Sequence, residues 1–296
     1  MKLSSDIFKN LDVRENIPLS TMTSFRIGGP VRFVIQPHSE QELSNAMTII
    51  REFNLPWHLM GNGTNILAPD SGFDGVLIIL NKPFRPLQIT NTSIRCSAGD
   101  SLASVSKASI SANLSGMEGL SGIPGTIGGA CAMNAGAYGS EIKSVLSIVR
   151  VLHENEISDI TVCDADLATR KSRFTAPDYI VLEAEFTLTP DDGHALERMI
   201  DYTNRRKAKQ PLELPSAGSV FKRPAGNYAG TLIESCGLKG LRIGGAEVST
   251  KHAGFIVNVG NATEKDVKCL VETIQKRVFE ETGYSLEREL KYFEEV

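Results

Sequence analysis

Apolar residues return at helical spacing over residues 39–53, where Leu43, Ala46, Met47 and Ile50 form an i, i+3, i+4, i+7 stripe. Ser39 and Glu42 make a capping box at its start. Two short apolar runs follow, PWHLM at 56–60 and GVLIIL at 75–80, which read as buried strands. Leu102, Val105 and Ala108 predict a second helix, and residues 144–152 and 179–188 predict two more strands. In the second of these, Ile180, Leu182, Ala184, Phe186 and Leu188 alternate with Val181, Glu183, Glu185 and Thr187. Period-two alternation predicts one apolar face and one mostly polar face.

A helix is expected around 192–209, with Leu196, Met199 and Ile200 on one face. It ends at Gln210-Pro211, since proline cannot continue a helix, and the following LELPSAG is a loop. A domain boundary is expected near 195–212. The last long helix runs from Thr263 to about Thr282. Thr263 and Asp266 cap it, Val267, Leu270, Val271, Ile274 and Val278 form its stripe, and Gly283 ends it. Helices and strands alternate without the period of a barrel, which points to α+β or mixed α/β.

Composition narrows the function classes. The 296 residues are 41% hydrophobic and 22% charged, enough for a sizeable core and, by length, roughly two domains. Net charge is −4 and no run of five like charges occurs, which disfavours a nucleic-acid partner. The nearest basic cluster is Arg205, Arg206, Lys207 and Lys209, at the end of the helical pattern, where cations complement the helix dipole. The cysteines are Cys96, Cys131, Cys163, Cys236 and Cys269, an odd and widely spaced set without CxxC. Neither a disulfide framework nor a metal site is expected, and a reducing cytoplasm is. The first residues, MKLSSDIFKNLDVREN, lack the apolar run of a signal peptide. Residues 119–140 carry no charge but are too rich in glycine for a membrane helix.

The glycine-rich stretch that overlaps it is the most informative one. Residues 116–139, GMEGLSGIPGTIGGACAMNAGAYG, hold eight glycines, and no Lys, Arg or His occurs from Ala108 to Ile142. Glycine lets another group approach the backbone closely, and inward N–H groups can hold a pyrophosphate without a cation. GNGTNIL at 61–67 has the same character. Neither GxxxxGK[ST] nor a GxGxxG after a strand is present, which argues against a P-loop NTPase or a Rossmann domain. One such loop is as compatible with a structural turn as with a ligand. Two, with Asn65 and Asn134 beside them, favour a long ligand such as a dinucleotide.

SGIPGTIGGACAMNAGAYG and GNGTNIL resemble the FAD loops of the UDP-N-acetylenolpyruvoylglucosamine reductase family. TSFRIGG at 23–29, AGSVFKRP at 217–224 and GLKGLRIGGAEVSTKHAGFIVN at 237–258 resemble the same family, in the right order. The resemblance implies an α+β fold: an FAD-binding region of the p-cresol methylhydroxylase type, made of two α+β parts, over 1–200 with a core of about 26–191. A C-terminal α+β substrate-binding domain would cover 201–296. It implies non-covalent FAD held by Arg26, by Gly61, Asn62, Gly63, Thr64, Asn65 and Ile66, by Gly122, Ile123, Pro124, Gly125, Thr126, Gly128, Gly129 and Ala130, and by Asn134. NADPH would be the co-substrate and an enolpyruvyl UDP-sugar the substrate.

The family's catalytic motifs fall on three positions. Arg170 lies in TRKSRF, similar to the family's YRxSxF, and would grip the substrate carboxylate. Ser219 in GSVFK would be the proton donor, and Glu289 in LERELKYF would work with Arg170 in polarising the carboxylate. Thr169 stands where the family usually has Tyr. No long insertion separates Phe186 from Ser219, which matches the family's shorter form. The UDP group would then be held by Arg205, Lys209 or Lys222, with Asn258, His252 and Lys251 of KHAGFIVN lining the cleft. A monomer with no membrane partner is expected. Two rivals remain: an oxidase on the same flavin fold, and a flavoprotein without catalysis. No histidine lies in the glycine-rich loops, which weighs against the covalent flavin common among the former.

Overall fold

The computed structural model of the protein describes residues 4–295; residues 1–3 and Val296, included in the ranges above, lie outside it. The chain forms two compact units, each assembled from separate segments. The first comprises Met1–Glu15, Phe33–Asn62 and Gly75–Arg206; the second comprises Asn16–Arg32, Gly63–Asp74 and Lys207–Val296. Among the described residues, six α-helices follow in order: α1 (Glu40–Glu52), α2 (Leu102–Ser111), α3 (Ile127–Ala132), α4 (Ala195–Lys209), α5 (Ala229–Ser235) and α6 (Glu264–Thr282).

The first unit has two hydrophobic cores. One gathers Phe8, Phe33, Ile35, the α1 stripe of Leu43, Ala46, Met47 and Ile50, and Val76 and Ile78. Strand Trp57–Met60 runs parallel to strand Phe73–Ile79 in a four-stranded sheet, so the two apolar runs of the sequence are neighbours. The other core packs α2 and α3 on a five-stranded sheet. That sheet is antiparallel, with strand order Glu156–Thr161, Leu146–His153, Tyr179–Thr187, Ser93–Ser97, Gln88–Thr90. The α2 stripe includes Ser106 and Ser109, which are buried because their hydroxyls donate to the carbonyls of Met117 and Ser106.

Strand Tyr179–Thr187 departs from the simple alternation. Arg150 pairs with Glu183 and Val151 with Val181, so Leu182 is one residue too many. Such a β-bulge reverses which side chains point to which face. Ile180 and Leu182 therefore enter the first core, whereas Val181, Ala184 and Phe186 enter the second. The face expected to be mostly polar is exposed only at Thr187. Its Glu183 is buried beneath Arg85 and Arg95, at 3.1 and 2.9 Å.

Helix α4 also differs from expectation. Leu196 and Ile200 are 54% and 49% exposed, and Ala195 is the helix's buried residue. Of the expected stripe only Met199 is partly buried; the inward face is Ala195 with Arg198, Tyr202 and Arg206 at helical spacing, flanked by Met199 and Thr203. Arg198 reaches Glu118 at 2.7 Å and clasps Asp192 through both carboxylate oxygens. Burial alone would raise the Glu118 carboxyl, but Arg198 and the Gly116 N–H bring it below the usual carboxylate range. The Arg198–Glu118 ion pair, and Tyr202 stacked on Tyr138, thus do most of what the apolar stripe was expected to do.

The second unit has one core, in which Val267, Leu270, Val271, Ile274 and Val278 of α6 pack with α5 and Phe255–Asn258. Thr263 and Asp266 cap α6 reciprocally, and Gly283 closes it. A four-stranded sheet runs in the order Ser216–Ser219, Phe255–Asn258, Ala246–Val248, Arg242–Ile243.

Candidate active site

Within the first unit, the two glycine-rich loops touch. Asn62 donates its amide to the Pro124 carbonyl at 2.9 Å. A Cβ on Gly61 would lie 2.3 Å from Thr126 Oγ1, so no other residue fits there unless Thr126 moves. Thr126 caps α3 through the Gly129 N–H. The next donors of α3 are engaged internally: Ile127 N–H binds the Asp100 carbonyl and Gly128 N–H the Ala98 carbonyl. The donors left for a ligand lie just before the helix. Among the described residues, the backbone N–H groups of Asn62, Gly122, Gly125 and Thr126 have no protein acceptor. This cradle suits the acceptor-rich pyrophosphate of FAD. Ile123 packs against the second core and Ala130 is buried in it, so they shape the cradle from behind.

The same unit carries Arg170. Leu167–Ala168 pairs with Lys171–Ser172, making Arg170 the second residue of a two-residue turn, with φ of +57°. A non-glycine residue in the left-handed region costs conformational energy and must be held there. Asn134 does so. Its Nδ2 donates to the Ala168 carbonyl and toward Glu141, and its Oδ1 accepts from Lys143 N–H. Asn134 is buried, and both its amide donors are engaged within the protein. The Arg170 guanidinium donates to the Gly136 carbonyl at 3.0 Å. That carbonyl belongs to a tight hairpin turned by Tyr138 and Gly139, with φ of +54° and +85°. Two successive positive φ values match a type I′ turn.

In the second unit, Ser219 sits on a bulged strand. Ser216 pairs with Val257 but Ser219 with Phe255, and Gly218 between them has φ of +79°. Glycine at this left-handed position makes the bulge and re-aims the residue after it. Ser219 is partly buried, and among the described residues its hydroxyl has no hydrogen-bond partner. Next to it, the Val220 carbonyl accepts the Glu289 N–H at 2.8 Å. Asn65 joins the same segment, its amide donating to the Glu289 carbonyl and its own carbonyl accepting from Lys291 N–H. Ile66 is buried in the short strand beside Lys291 and Tyr292. Glu287 is exposed and ion-paired with Lys222, while Glu289 is partly buried, which separates two residues that look alike in sequence.

The other expected residues are placed as follows. Arg26 is exposed, at φ of +56°, between buried Phe25 and Ile27; nearby, the Gly63 carbonyl accepts Ser24 N–H. Asn258 is buried, donating to the Phe25 carbonyl and accepting from Gly260 and Ala262, so it knits the loop together. Arg205 is exposed and bound to Asp201, one helical turn away. Lys251 donates to the Lys207 carbonyl. His252 accepts Gly254 N–H on Nδ1, and burial holds its pKa below the ordinary value, so the ring is neutral. The structure thus brings Ser219, Glu289 and Asn65 together in one unit, and the glycine cradle, Asn134 and Arg170 in the other. Two aromatic residues and one cation beside the cradle, Tyr138, Tyr202 and Arg206, escaped the sequence reading. Their signal was the spacing of Ala195, Arg198, Tyr202 and Arg206.

Comparison with known proteins places these features. A family model described as an FAD binding domain matches residues 31–157. One described as UDP-N-acetylenolpyruvoylglucosamine reductase, C-terminal domain, matches residues 210–293. A UDP-N-acetylenolpyruvoylglucosamine reductase of Clostridium perfringens is 42% identical over 292 residues, 98% of this chain and 96% of that protein. One of Caldanaerobacter subterraneus is 44% identical over 288 residues, 97% and 95% of the two chains. The crystal structure of the UDP-N-acetylenolpyruvylglucosamine reductase of Thermus caldophilus superposes with a TM-score of 0.79 at 32% identity, covering 96% of this chain and 99% of that one. On the length and level of these matches, the chain belongs to the UDP-N-acetylenolpyruvoylglucosamine reductase family.

Proposed function

We propose that this protein reduces the enolpyruvyl group of UDP-N-acetyl-3-O-(1-carboxyvinyl)-glucosamine to UDP-N-acetylmuramate, a step of peptidoglycan precursor synthesis, with NADPH as reductant. Residues 1–200 are read as the FAD-binding region and 201–296 as the substrate-binding domain, in keeping with family matches at 31–157 and 210–293. A cytoplasmic monomer is the state proposed; all five cysteines are free thiols, as a reducing compartment allows. Among the described residues, no helix is long and apolar enough to cross a membrane.

The N–H groups of Asn62, Gly122, Gly125 and Thr126 would hold FAD non-covalently in the glycine cradle, where it would supply the hydride chemistry between NADPH and the terminal vinyl carbon of the substrate. The protein's part is to manage the charge and the proton that follow. Hydride addition leaves negative charge on the adjacent carbon and its carboxylate. Arg170 grips that carboxylate, and Glu289 acts with it in polarising the group. Ser219 gives its hydroxyl proton to the carbon, which completes the saturated lactyl ether. A hydroxyl suffices because an enolate carbon is far more basic than the neutral substrate. Asn134 acts one step back, by holding the strained Arg170 turn.

The observation that carries this reading is Ser219 itself. The serine is partly buried, re-aimed by the Gly218 bulge, and beside a carbonyl that anchors Glu289. If it only shaped the turn, its hydroxyl would be expected to bond locally, and it does not. The test is to bleach the flavin with NADPH without oxygen, then add the enolpyruvyl UDP-sugar. Reoxidation with formation of UDP-N-acetylmuramate is expected. A flavin that NADPH bleaches but only oxygen reoxidises would favour the oxidase.

A further inference from the structure

Arg206 stands apart from the other cations of its cluster. Arg205 is exposed and paired with Asp201, whereas Arg206 is partly buried on the inward face of α4. Among the described residues its guanidinium has neither an ion pair nor a hydrogen bond, although burial pushes its pKa down from the ordinary value. An arginine keeps its charge despite that shift. A half-desolvated cation without a partner is costly, so its retention points to a partner that comes from outside the chain.

Its surroundings say which kind. A Cβ on Gly122 would lie 2.8 Å from Arg206 Cδ and 3.3 Å from Nη1, so the glycine leaves room for this side chain. The guanidinium therefore lies against the loop whose Gly122, Gly125 and Thr126 N–H groups lack protein acceptors. One turn earlier on α4, Tyr202 stacks on Tyr138, with ring centroids 4.9 Å apart and planes 8° from parallel. Tyr138 is near enough to favour the Arg206 charge electrostatically. Several donors and a planar fork, with no carboxylate to answer them, match the oxygens of a phosphoryl group.

We propose that Arg206 binds a phosphoryl group of a nucleotide at the Gly122 end of the glycine-rich loop. This deepens the proposed function and rests on it, since the flavin, NADPH and the UDP-sugar all carry diphosphates. The enolpyruvyl carboxylate is already assigned to Arg170, which leaves phosphate as the anion for Arg206. The structural alternative, a cation that merely supports α4, predicts lower stability and intact ligand affinity.

The test uses the purified flavoprotein with Arg206→Ala, Arg206→Lys and, as a neighbouring control, Lys207→Ala, an exposed cation with no role assigned in binding. Flavin occupancy, the KM for NADPH, and the dissociation constant of UDP are measured for each, with thermal melting as a check on folding. Loss of a charged hydrogen bond should weaken one ligand by about 10- to 100-fold in Arg206→Ala. Arg206→Lys should recover part of the loss, and Lys207→Ala should show none. Which ligand weakens identifies the source: flavin occupancy for the cofactor, KM for NADPH, or UDP affinity for the substrate. All three within about 2-fold of wild type in Arg206→Ala would overturn the proposal. If Arg206→Ala does not fold, Arg206→Lys with unchanged affinities for all three overturns it too. Bleaching of the wild-type flavin by NADPH tests the function reading separately, so either idea can fail alone.

Discussion

The glycine-rich loop of the first unit and the bulged strand of the second handle polar groups in opposite ways. Around the loop, side chains turn inward to hold the backbone: Thr126 caps α3, Asn62 ties the loops together and Asn134 fixes the Arg170 hairpin. What remains for a ligand is a set of backbone N–H groups. On the bulged strand, the backbone is paired with its neighbour and the side chain of Ser219 is the group left over. A cofactor site can be made from main chain because it has only to bind. A proton donor must be a side chain, because it has to give an atom away. The difference sets how each region should respond to mutation.

The largest effect is expected at the bulge. Ser219→Ala should retain its flavin and be bleached by NADPH at close to the wild-type rate. Reoxidation by the enolpyruvyl UDP-sugar should slow by roughly 10²–10⁴-fold, the range of general acids. Ser219→Cys should regain part of it. In stopped-flow measurement, equal slowing of both half-reactions would take the proton donor's role from Ser219.

Arg170→Ala and Glu289→Gln should each slow reoxidation by at least roughly 100-fold and leave flavin reduction nearly unaffected. Arg170 has a second, structural liability because its φ is +57°. Arg170→Gly separates the two roles: it relieves the backbone yet removes the guanidinium, so it should be as stable as wild type in a urea melt and as slow as Arg170→Ala.

The glycine loop calls for a different substitution. Gly128 is a poor probe, since a Cβ there would lie 3.1 Å from Ala98 and disturb packing by itself. At Gly129 a Cβ meets nothing nearer than Thr126 Oγ1 at 3.5 Å. Gly129→Asp therefore adds charge without a clash, at the N3 position of α3, where an acid favours the helix. The flavin-free protein should be at least as stable as wild type, while flavin occupancy falls by about 10-fold or more from repulsion of the pyrophosphate. Full occupancy in the absorbance spectrum would remove the pyrophosphate from that end of the loop.

Much of the fold was legible because burial and periodicity agree. The stripes of α1 and α6 and the strand pair 57–60 and 73–79 follow directly from apolar spacing. Where they disagree, the cause is a polar interaction or an extra residue that hydrophobicity does not register. Leu182 as a bulge residue reverses a strand's faces, and the Arg198–Glu118 pair turns α4 away from its apolar stripe. The candidate site was read through motifs rather than through chemistry. Arg170, Ser219 and Glu289 were picked out by resemblance, whereas the Gly218 bulge and the Asn134 anchor appear only once the pairings are known. Arg206 could not be told from Arg205 without knowing which face of α4 turns inward.

Smaller effects sharpen that lesson. Ile274→Ala, in the buried stripe of α6, should cost about 2–5 kcal/mol of stability. Ile200→Ala, on the exposed stripe of α4, should stay within about 0.5 kcal/mol in the same urea melts. His252 should give a pH signature. Its folded pKa is depressed by burial, so the unfolded chain takes up a proton that the native state resists. Stability should be level above the ordinary value near 6.5 and should fall as pH drops below it. The loss should be smaller in His252→Gln when urea midpoints at pH 7.5 and 5.5 are compared.

The central claim is that hydride enters from NADPH and leaves to an enolpyruvyl UDP-sugar through a flavin held in the glycine cradle. Sequential anaerobic spectroscopy tests it most directly. The purified protein should show a flavin spectrum, lose it on addition of one equivalent of NADPH, and regain it when the enolpyruvyl UDP-sugar is added, with UDP-N-acetylmuramate formed in equal amount. A bleached flavin that stays bleached in the presence of that sugar, in a protein whose melting curve shows it folded, would contradict the account.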